Sequence, residues 1–232
     1  MIISGLQKMT LLDYPGRVAC TVFLQGCNFR CPFCHNSGLL GAVQEDTIPV
    51  DELLSFLQKR TGILDGVCIT GGEPTLQSDL PQLLRQIKAL GYAIKLDTNG
   101  SNPQMLKALV KDSLIDYVAM DIKNCPDRYG ETVGLSHMPE GVEESIAFLL
   151  SGQIDYEFRT TVVEEFHTEE NILAMGQWLS RMGKPKKLFL QSYVDRDSVL
   201  RRGLNSPDAE KMRRFQVILE PYADFVAIRG ES

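Results

Sequence analysis

The sequence predicts an α/β protein, an incomplete (β/α) barrel of about six units with a candidate seventh strand. Short, almost continuously apolar segments alternate with segments of helical periodicity, which is typical of a parallel sheet covered by helices. No low-complexity segment, internal repeat or proline-rich linker interrupts the chain, so we expect a single domain over residues 1–232. No eighth unit that would close the barrel is visible, and an open doubly wound sheet is the alternative architecture.

The individual elements follow from residue preference and from their end signals. Strands are predicted where β-branched and aromatic residues cluster, at 18–25, 66–70, 92–97, 116–121, 156–163 and 187–192, with the seventh at 224–229. Helices are predicted between them at about 50–60, 79–90, 103–112, 139–151, 168–182 and 207–219. Thr168 is a capping residue at one helix start, and Gly91, Gly152 and Gly183 stand where helices should end.

The composition is that of an ordinary globular protein, with 44% apolar and 23% charged residues. A formal charge of −6 offers no basic excess to neutralise phosphates, which argues against nucleic-acid and anionic-membrane partners. No apolar segment approaches the length of a membrane span, and the N-terminus lacks the charged-then-apolar order of a signal peptide. We therefore expect a cytoplasmic protein.

Polar residues and glycines gather at the carboxyl ends of the predicted strands. In a parallel barrel the chemistry collects in the loops at this edge. The segments concerned are GGEPT (71–75), TNG (98–100), DIK (121–123) and QSY (191–193), and Arg159 lies within a strand. In GGEPT, two glycines let the backbone approach a ligand closely, and Glu73 offers a carboxylate for an ammonium group.

Three of the six cysteines lie in the loop after the first predicted strand. Cys27, Cys31 and Cys34 have the spacing C-x3-C-x2-C within LQGCNFRCPFCHN (24–36). The loop could hold zinc with His35 or a distant residue as fourth ligand, carry thiols without metal, or bind an iron–sulfur cluster through three thiolates. A three-cysteine cluster would leave one iron open to a substrate, as catalytic metal sites do.

The remaining cysteines do not suggest a second metal site. Cys20 and Cys68 fall within predicted strands, where a small buried hydrophobic residue is expected. Cys125 has no paired C-x2-C partner, so we expect only one cluster.

The cysteine spacing and GGE together resemble the radical S-adenosylmethionine (radical SAM) enzymes, and Phe33 matches the aromatic position of that family's cysteine motif. The resemblance covers nearly the whole chain and is closest to the glycyl-radical-enzyme activating proteins, in particular those that activate anaerobic ribonucleoside-triphosphate reductase. The matching stretches are TLLDYPGRVACTVFLQGCNFRCPFCHN, ITGGEPTLQ, KLDTNG, YVAMDIK and YEFRTTVV.

The resemblance implies a role for each matching residue. Cys27, Cys31 and Cys34 would hold one [4Fe-4S] cluster, and the open iron would bind the amino and carboxylate groups of SAM. The adenine of SAM would be lined, largely by backbone, by Phe33, Cys34 and His35, and its methionyl ammonium would meet Gly71, Gly72 and Glu73. Its ribose and carboxylate region would contact Asp121 and Lys123, and Arg159 matches an arginine near the cofactor. Asp97 and Thr98 match a segment that, in the pyruvate formate-lyase activator, helps hold a monovalent cation beside SAM.

Simpler interpretations of these residues stay open. Asp121, Lys123 and Arg159 could be ion pairs at a barrel rim, and Asp97 could form a side-chain turn with Asn99. His137, His167 and Trp178 are interpreted as surface or packing residues.

The implied reaction is the reductive cleavage of SAM and the formation of a glycyl radical on a partner, anaerobic ribonucleotide reductase. Flavodoxin or ferredoxin would donate the electron, and no catalytic side chain beyond the cluster and SAM site is implied. We expect loop 124–137 to contact the partner's glycine loop. The alternatives are a radical SAM enzyme acting on a small molecule or peptide, and a non-catalytic metal- or cluster-binding protein.

Two positions depart from the pyruvate formate-lyase activator. Val194, beside Tyr193, stands where that activator has a histidine after the sixth strand, and Glu164-Glu165 stands where it tends to have Pro-Gly. These departures bear on the protein substrate more than on the radical chemistry.

Overall fold

The computed structural model describes residues 1–41 and 47–230. The strands are β1 (Ile3–Thr10), β2 (Ala19–Leu24), β3 (Gly66–Gly71), β4 (Ala93–Thr98), β5 (Tyr117–Asp121), β6 (Asp155–Val162), β7 (Leu188–Ser192) and β8 (Val226–Arg229). The helices are α1 (Val50–Gln58), α2 (Leu80–Ala89), α3 (Pro103–Lys111), α4 (Pro126–Val133), α5 (Gly141–Leu150), α6 (Glu169–Met182) and α7 (Ala209–Leu219). Short 3₁₀ helices cover Ser37–Leu39, Pro74–Leu76 and Glu220–Tyr222.

The strands form one mostly parallel sheet in the order β1-β2-β3-β4-β5-β6-β7-β8. This order confirms the predicted α/β class and the incomplete (β/α) barrel, and β8 is the candidate seventh strand. The sequence did not predict β1, which pairs antiparallel with β2. The prediction that 124–137 is a loop was wrong, because Pro126–Val133 forms α4.

Contact density divides the chain into two compact units. The first comprises Met1–Asn28, Gly38–Thr98 and Gln104–Val118, and the second comprises Phe29–Ser37, Asn99–Pro103 and Ala119–Ser232. Strand β5 contributes residues to both units. The expectation of a single domain over 1–232 stays a prediction.

In the first unit, β2, β3 and β4 are parallel neighbours, with Ala19 opposite Gly66 and Gly66 opposite Ala93. Apolar side chains of the helices and strands fill its core, and at most 1% of each is exposed; they include Leu53, Leu57, Ile69, Leu84, Ile87, Ile94 and Leu96. Burial of each such side chain contributes about 1.5–3 kcal/mol to folding. The rigid parallel strands place the loops after β2, β3 and β4 at one edge of the sheet.

In the second unit, β6, β7 and β8 are parallel neighbours, and the backbone N–H of Ile122, just after β5, donates to the carbonyl of Arg159 in β6 at 2.8 Å. The core again consists of buried apolar side chains, among them Ile146, Leu149, Phe158, Ile172, Met175, Leu190 and Phe215. Glu157 of β6 is fully buried and accepts two 2.6 Å hydrogen bonds from the Arg229 guanidinium of β8. This paired charge fixes the last strand to the sheet.

The predicted helix ends are confirmed where they carry specific chemistry. The Thr168 side chain accepts from the N–H of Asn171 at 3.3 Å and caps α6. Gly91 and Gly152 have φ values of 89° and 77° after α2 and α5, in the left-handed region that glycine adopts without strain. Among the described residues, no helix is both long and apolar enough to cross a membrane.

Candidate active site

The segment 29–37 carries Cys31 and Cys34 and belongs to the second unit. Cys31 is buried with 7% of its surface exposed, Cys34 is half-buried, and the Cys34 N–H donates to the Cys31 carbonyl at 3.0 Å. The backbone of this segment is held from two sides. The N–H of Arg30 donates to the carbonyl of Val133 at the end of α4, and the N–H of Arg201 donates to the carbonyl of Pro32, both at 2.8 Å.

Side chains next to the cysteines anchor the same segment. Phe33 is buried and its ring packs against Phe166 with centroids 5.9 Å apart. The His35 ring stacks on Tyr193 at 5.6 Å, and its Nε2 lies 2.8 Å from the carbonyl oxygen of Val194. The side chains of Phe33 and His35 are thus used for packing. The implied backbone contact with adenine stays a prediction.

Val194, one of the two departures from the pyruvate formate-lyase activator, contacts His35 through its backbone. The Val194 side chain is exposed, and it is the backbone carbonyl of this residue that meets His35. Tyr193 is fully buried, and its hydroxyl donates to Asp195 at 2.8 Å. Burial and this carboxylate raise the pKa of Tyr193 to about 12, so the residue stays a neutral phenol.

The three thiols of the cysteine loop are the ligand type that iron–sulfur clusters use. Within residues 1–41 and 47–230, no three or more His, Cys, Asp or Glu side chains converge closely enough to hold a single metal ion. Tetrahedral zinc needs its ligands about 2.0–2.3 Å from one point, whereas the thiolates of a cubane bind different irons and stand further apart. His35, the candidate fourth zinc ligand, already uses Nε2 at the Val194 carbonyl.

In the first unit, the two glycines after β3 allow the backbone that leads to Cys27 to pack closely. A Cβ on Gly72 would lie 2.0 Å from the carbonyl oxygen of Gly26, and a Cβ on Gly71 would lie 2.3 Å from the backbone of Leu24. The N–H of Glu73 donates to the same Gly26 carbonyl at 2.7 Å. The structure shows that these glycines let the end of β3 pack against β2 and the loop that follows β2. Their contact with a ligand stays a prediction.

Glu73 is a buried carboxylate held in one orientation. Only 1% of its surface is exposed, and its Oε1 accepts from the N–H of Thr75 at 3.0 Å and from the Thr98 hydroxyl at 2.8 Å. The hydroxyl of Thr75 donates to the same oxygen. Since hydrogen bonds to an anion are stronger than neutral ones, the network keeps a negative charge at the ends of β3 and β4.

Asp97 forms an ion pair with Lys95, a residue that the sequence analysis missed. Lys95 is 1% exposed although it lies in a strand, and its ammonium also lies 3.7 Å from the sulfur of Cys68. Lys95 and Asp97 are two residues apart, so both point to the same face of β4, and this spacing was the available signal. The proposed monovalent cation at Asp97 and Thr98 stays a prediction.

Asp121, Lys123 and Arg159 form one charged group in the second unit. The carboxylate of Asp121 accepts from Lys123 Nζ at 2.9 Å and from Arg159 Nε at 3.2 Å. Burial alone would raise the pKa of Asp121, but the two cations outweigh burial and hold it below its usual range. Burial would likewise lower the pKa of Lys123, but Asp121 and the sulfur of Cys31 raise it above its usual range.

The structure thus brings the predicted residues together within each unit. In the first, the backbone before Cys27 meets Gly71, Gly72 and Glu73, and the Thr98 hydroxyl donates to Glu73. In the second, Asp121 pairs with both Lys123 and Arg159. The Cys31 sulfur contributes to the raised pKa of Lys123. Each unit thus carries its own group of fixed polar and charged side chains.

Residues 21–179 match the Radical SAM superfamily, and the chain belongs to it. Members of this superfamily use a [4Fe-4S] cluster and SAM, which confirms the two predicted cofactors, and the protein is an enzyme of the oxidoreductase type. The alternative of a non-catalytic binding protein is therefore wrong.

Relatives refine this placement. The chain is 31% identical over 236 residues to a protein of Methanocaldococcus jannaschii that is provisionally named a glycyl-radical enzyme activating enzyme, with 98% of this chain and 95% of that protein covered. It is 26% identical over 239 residues to the pyruvate formate-lyase-activating enzyme of Streptococcus mutans, with coverages of 95% and 77%. These relatives confirm the resemblance to activating enzymes.

The same fold occurs in a solved structure of low sequence identity. A radical SAM methyltransferase from Sphaerobacter thermophilus superposes with a TM-score of 0.73 at 16% identity, over 95% of this chain and 68% of that chain. At this identity the likeness supports the fold alone.

Proposed function

We propose that this enzyme generates a glycyl radical on a partner enzyme and that the partner is anaerobic ribonucleoside-triphosphate reductase. The observation that carries the proposal is similarity to an activating enzyme over 98% of this chain and 95% of the relative. A relative that shared only the cofactor chemistry would need to match only the core that holds the cluster and SAM. The choice of reductase rests on the sequence resemblance described above.

The proposed cluster ligands are Cys27, Cys31 and Cys34. The backbone contacts of the segment 29–37 fix Cys31 and Cys34, and the packed glycines after β3 fix the backbone before Cys27. When bound and reduced by one electron from flavodoxin or ferredoxin, the cluster supplies the electron that splits SAM into methionine and a 5′-deoxyadenosyl radical.

The charged residues are proposed to bind and orient SAM. Glu73, held by Thr75 and Thr98, presents a fixed negative charge to the methionyl ammonium. Lys123 and Arg159 present positive charge to the carboxylate, and Asp121 keeps both cations in place and contacts the ribose. Because Glu73 is buried, the other three are partly buried, and all are already held by hydrogen bonds or ion pairs, little side-chain entropy is lost when SAM binds.

The hydrogen that the radical removes is proposed to come from a glycine of the partner. The adenosyl carbon then gains a hydrogen atom to give 5′-deoxyadenosine, and the glycine is left as a carbon radical. One electron and one SAM are consumed for each glycyl radical formed.

Release of 5′-deoxyadenosine tests this function. Anaerobically reconstituted protein is mixed with dithionite or reduced flavodoxin, SAM and either anaerobic ribonucleoside-triphosphate reductase or pyruvate formate-lyase. We expect 5′-deoxyadenosine in an amount that rises with the reductase and reaches about one equivalent per radical site.

A variant reductase with alanine at the radical glycine is the matched control. It should not accept the radical, so product coupled to the reductase should disappear. Coupling to pyruvate formate-lyase alone would replace the partner but keep the activating role. Stimulation by a small metabolite, with no effect of either protein, would favour the alternative of a small-molecule radical SAM enzyme.

A further inference from the structure

The segment 121–125 runs from Asp121 at the end of β5 through Lys123 to Cys125. A buried histidine holds this segment in place. His167 is 0% exposed and lies between the end of β6 and the start of α6. Its Nε2 lies 2.9 Å from the carbonyl oxygen of Lys123. Its Nδ1 lies 3.1 Å from the backbone nitrogen of Val163 and 3.2 Å from the carbonyl oxygen of Val163.

These contacts fix the tautomer of His167. The Lys123 carbonyl can only accept, so Nε2 must carry the hydrogen that is donated to it. The Val163 N–H can only donate, so Nδ1 must be the acceptor. The opposite tautomer would set two acceptors against each other at Lys123 and two donors at the Val163 nitrogen, and it would gain only the longer 3.2 Å contact with the Val163 carbonyl. Burial, with Lys123 and Lys211 nearby, lowers the pKa of His167, so the ring stays neutral and keeps this arrangement.

A second side chain holds the next residue of the segment. The amide nitrogen of Asn124 donates to the carbonyl of Phe166 and to the hydroxyl of Thr132, both at 2.9 Å. Its amide oxygen accepts from the N–H of Cys125 at 2.8 Å. The segment after β5 is therefore attached to residues 163–167 at two points. The Asn124 side chain bonds the Phe166 carbonyl, and the His167 ring bonds the Lys123 carbonyl.

We propose that His167 is a positioning residue, whose neutral Nε2–H tautomer holds the Lys123 carbonyl so that the ammonium and Asp121 keep their orientation toward SAM. This inference rests on the proposed role of Lys123 in SAM binding. In this proposal His167 acts through the Lys123 carbonyl and not by contact with SAM or the cluster. From the sequence alone, His167 was predicted to be a surface or packing residue, since a histidine before a helix cap gives no signal of a backbone contact to a residue 44 positions away.

Two amide variants distinguish the contact made by Nε2 from the contact made by Nδ1. The amide nitrogen of glutamine lies near the position of Nε2, so His167→Gln keeps a donor for the Lys123 carbonyl. Asparagine is shorter and reaches only the position of Nδ1, so His167→Asn keeps the contact with Val163 and loses the one with Lys123. We expect His167→Gln to bind SAM within about twofold of wild type, and His167→Asn to bind about five- to tenfold more weakly.

The measurement is SAM affinity by anaerobic equilibrium dialysis, together with iron and sulfide content and the thermal midpoint. Leu149→Ala, which removes a buried side chain of α5, is the stability control, and its SAM affinity should not change. His137→Ala controls for loss of an exposed histidine. Backbone hydrogen exchange at 123–125 should accelerate in His167→Asn but not in His167→Gln.

The outcomes are distinguishable from failure of the proposed function. If wild type binds no SAM, the proposed function fails. If wild type binds SAM and His167→Asn and His167→Gln behave alike, the positioning role is overturned while the proposed function stands. Nitrogen NMR of the imidazole in the wild-type protein is an independent test that needs no variant, since a hydrogen on Nδ1 would also overturn the inference.

Discussion

At the scale of single residues, the charged side chains assigned to SAM binding owe their fixed charges to their neighbours. Asp121 is ionised because Lys123 and Arg159 more than offset the effect of burial on its pKa. Glu73 has its Oε1 oriented by Thr75 and Thr98. A charged ligand can therefore exchange its hydration shell for partners that are already in place.

Removing one of these charges should weaken SAM binding without loss of the cluster. A hydrogen bond to a charged group contributes about 1.5–3 kcal/mol, so Glu73→Ala and Lys123→Ala should each bind SAM roughly ten- to a hundredfold more weakly. Affinity is measured by anaerobic dialysis, and the cluster is measured by its visible absorbance. Lys184→Ala, at an exposed ion pair with Asp224, is the control and should bind normally. Unchanged affinity in both test variants would refute their roles.

The cysteines divide into ligands and packing residues by their environment. Cys20 is fully buried in β2, and burial raises its pKa to about 12, so it stays a thiol and is a poor metal ligand. Cys27→Ala, Cys31→Ala and Cys34→Ala should each lose the cluster, whereas Cys20→Ala and Cys68→Ala should retain about four iron and four sulfide per chain. Iron and sulfide analysis of anaerobically reconstituted protein decides this. If one of these three loop variants kept a full cluster, the cysteine replaced in it would not be a ligand.

At the scale of elements, the backbone at the end of β3 packs directly against the backbone of the loop after β2. Gly72 has no room for a side chain, because its Cβ would meet the Gly26 carbonyl at 2.0 Å. Gly26 directly precedes Cys27, so displacement of this carbonyl should also displace the first cysteine.

We therefore expect Gly72→Ala to lower both stability and cluster content. Overpacking of this kind costs about 1–3 kcal/mol or more, measured as a change in the free energy of unfolding in urea. Gly203→Ala is the matched control: its φ of 75° makes alanine cost about 1–2 kcal/mol, but nothing lies within 4 Å of the added Cβ. It should lose stability and keep its cluster. A Gly72→Ala protein with full cluster content would contradict the proposed coupling between these two loops.

The parallel strands and most helices could be predicted because each has its own apolar pattern and end signals. β1 could not, since its middle is half-exposed or exposed and its pairing with β2 is interrupted by irregularities. α4 was missed, and Gly130, a residue with low helix propensity, lies in its middle. The structure explains that glycine: a Cβ there would meet the backbone of His137 at 2.7 Å. Pro126 at its start and Gly134 after it, with φ of 71°, were the signals available.

At the scale of the whole molecule, the residues proposed to bind the cluster and SAM come from segments far apart in the sequence, and motif spacing predicted most of them. Glu73, Lys123 and Arg159 were predictable because strand ends and a family motif mark them. Lys95 and His167 were not, since their partners are fixed only by packing of neighbouring strands and loops. Residues that position a binding group thus required the structure.

The segment 124–137, which was predicted to be a loop that contacts the partner, contains the helix α4. Tyr129, Thr132 and Val133 of α4 are buried, so only the outer face of the helix and residues 134–137 are exposed. Contact with the partner's glycine loop stays a prediction, and it now concerns a helix and the turn that follows it.

Electron paramagnetic resonance on the partner tests the central claim most directly. Reconstituted protein, SAM, a one-electron reductant and anaerobic ribonucleoside-triphosphate reductase should produce a carbon-centred doublet that stays with the reductase after separation. Replacement of the reductase's radical glycine by alanine should abolish the doublet while the cluster remains intact. Absence of a doublet on every glycyl radical enzyme offered, together with SAM consumption that depends on a small molecule instead, would contradict the activating role.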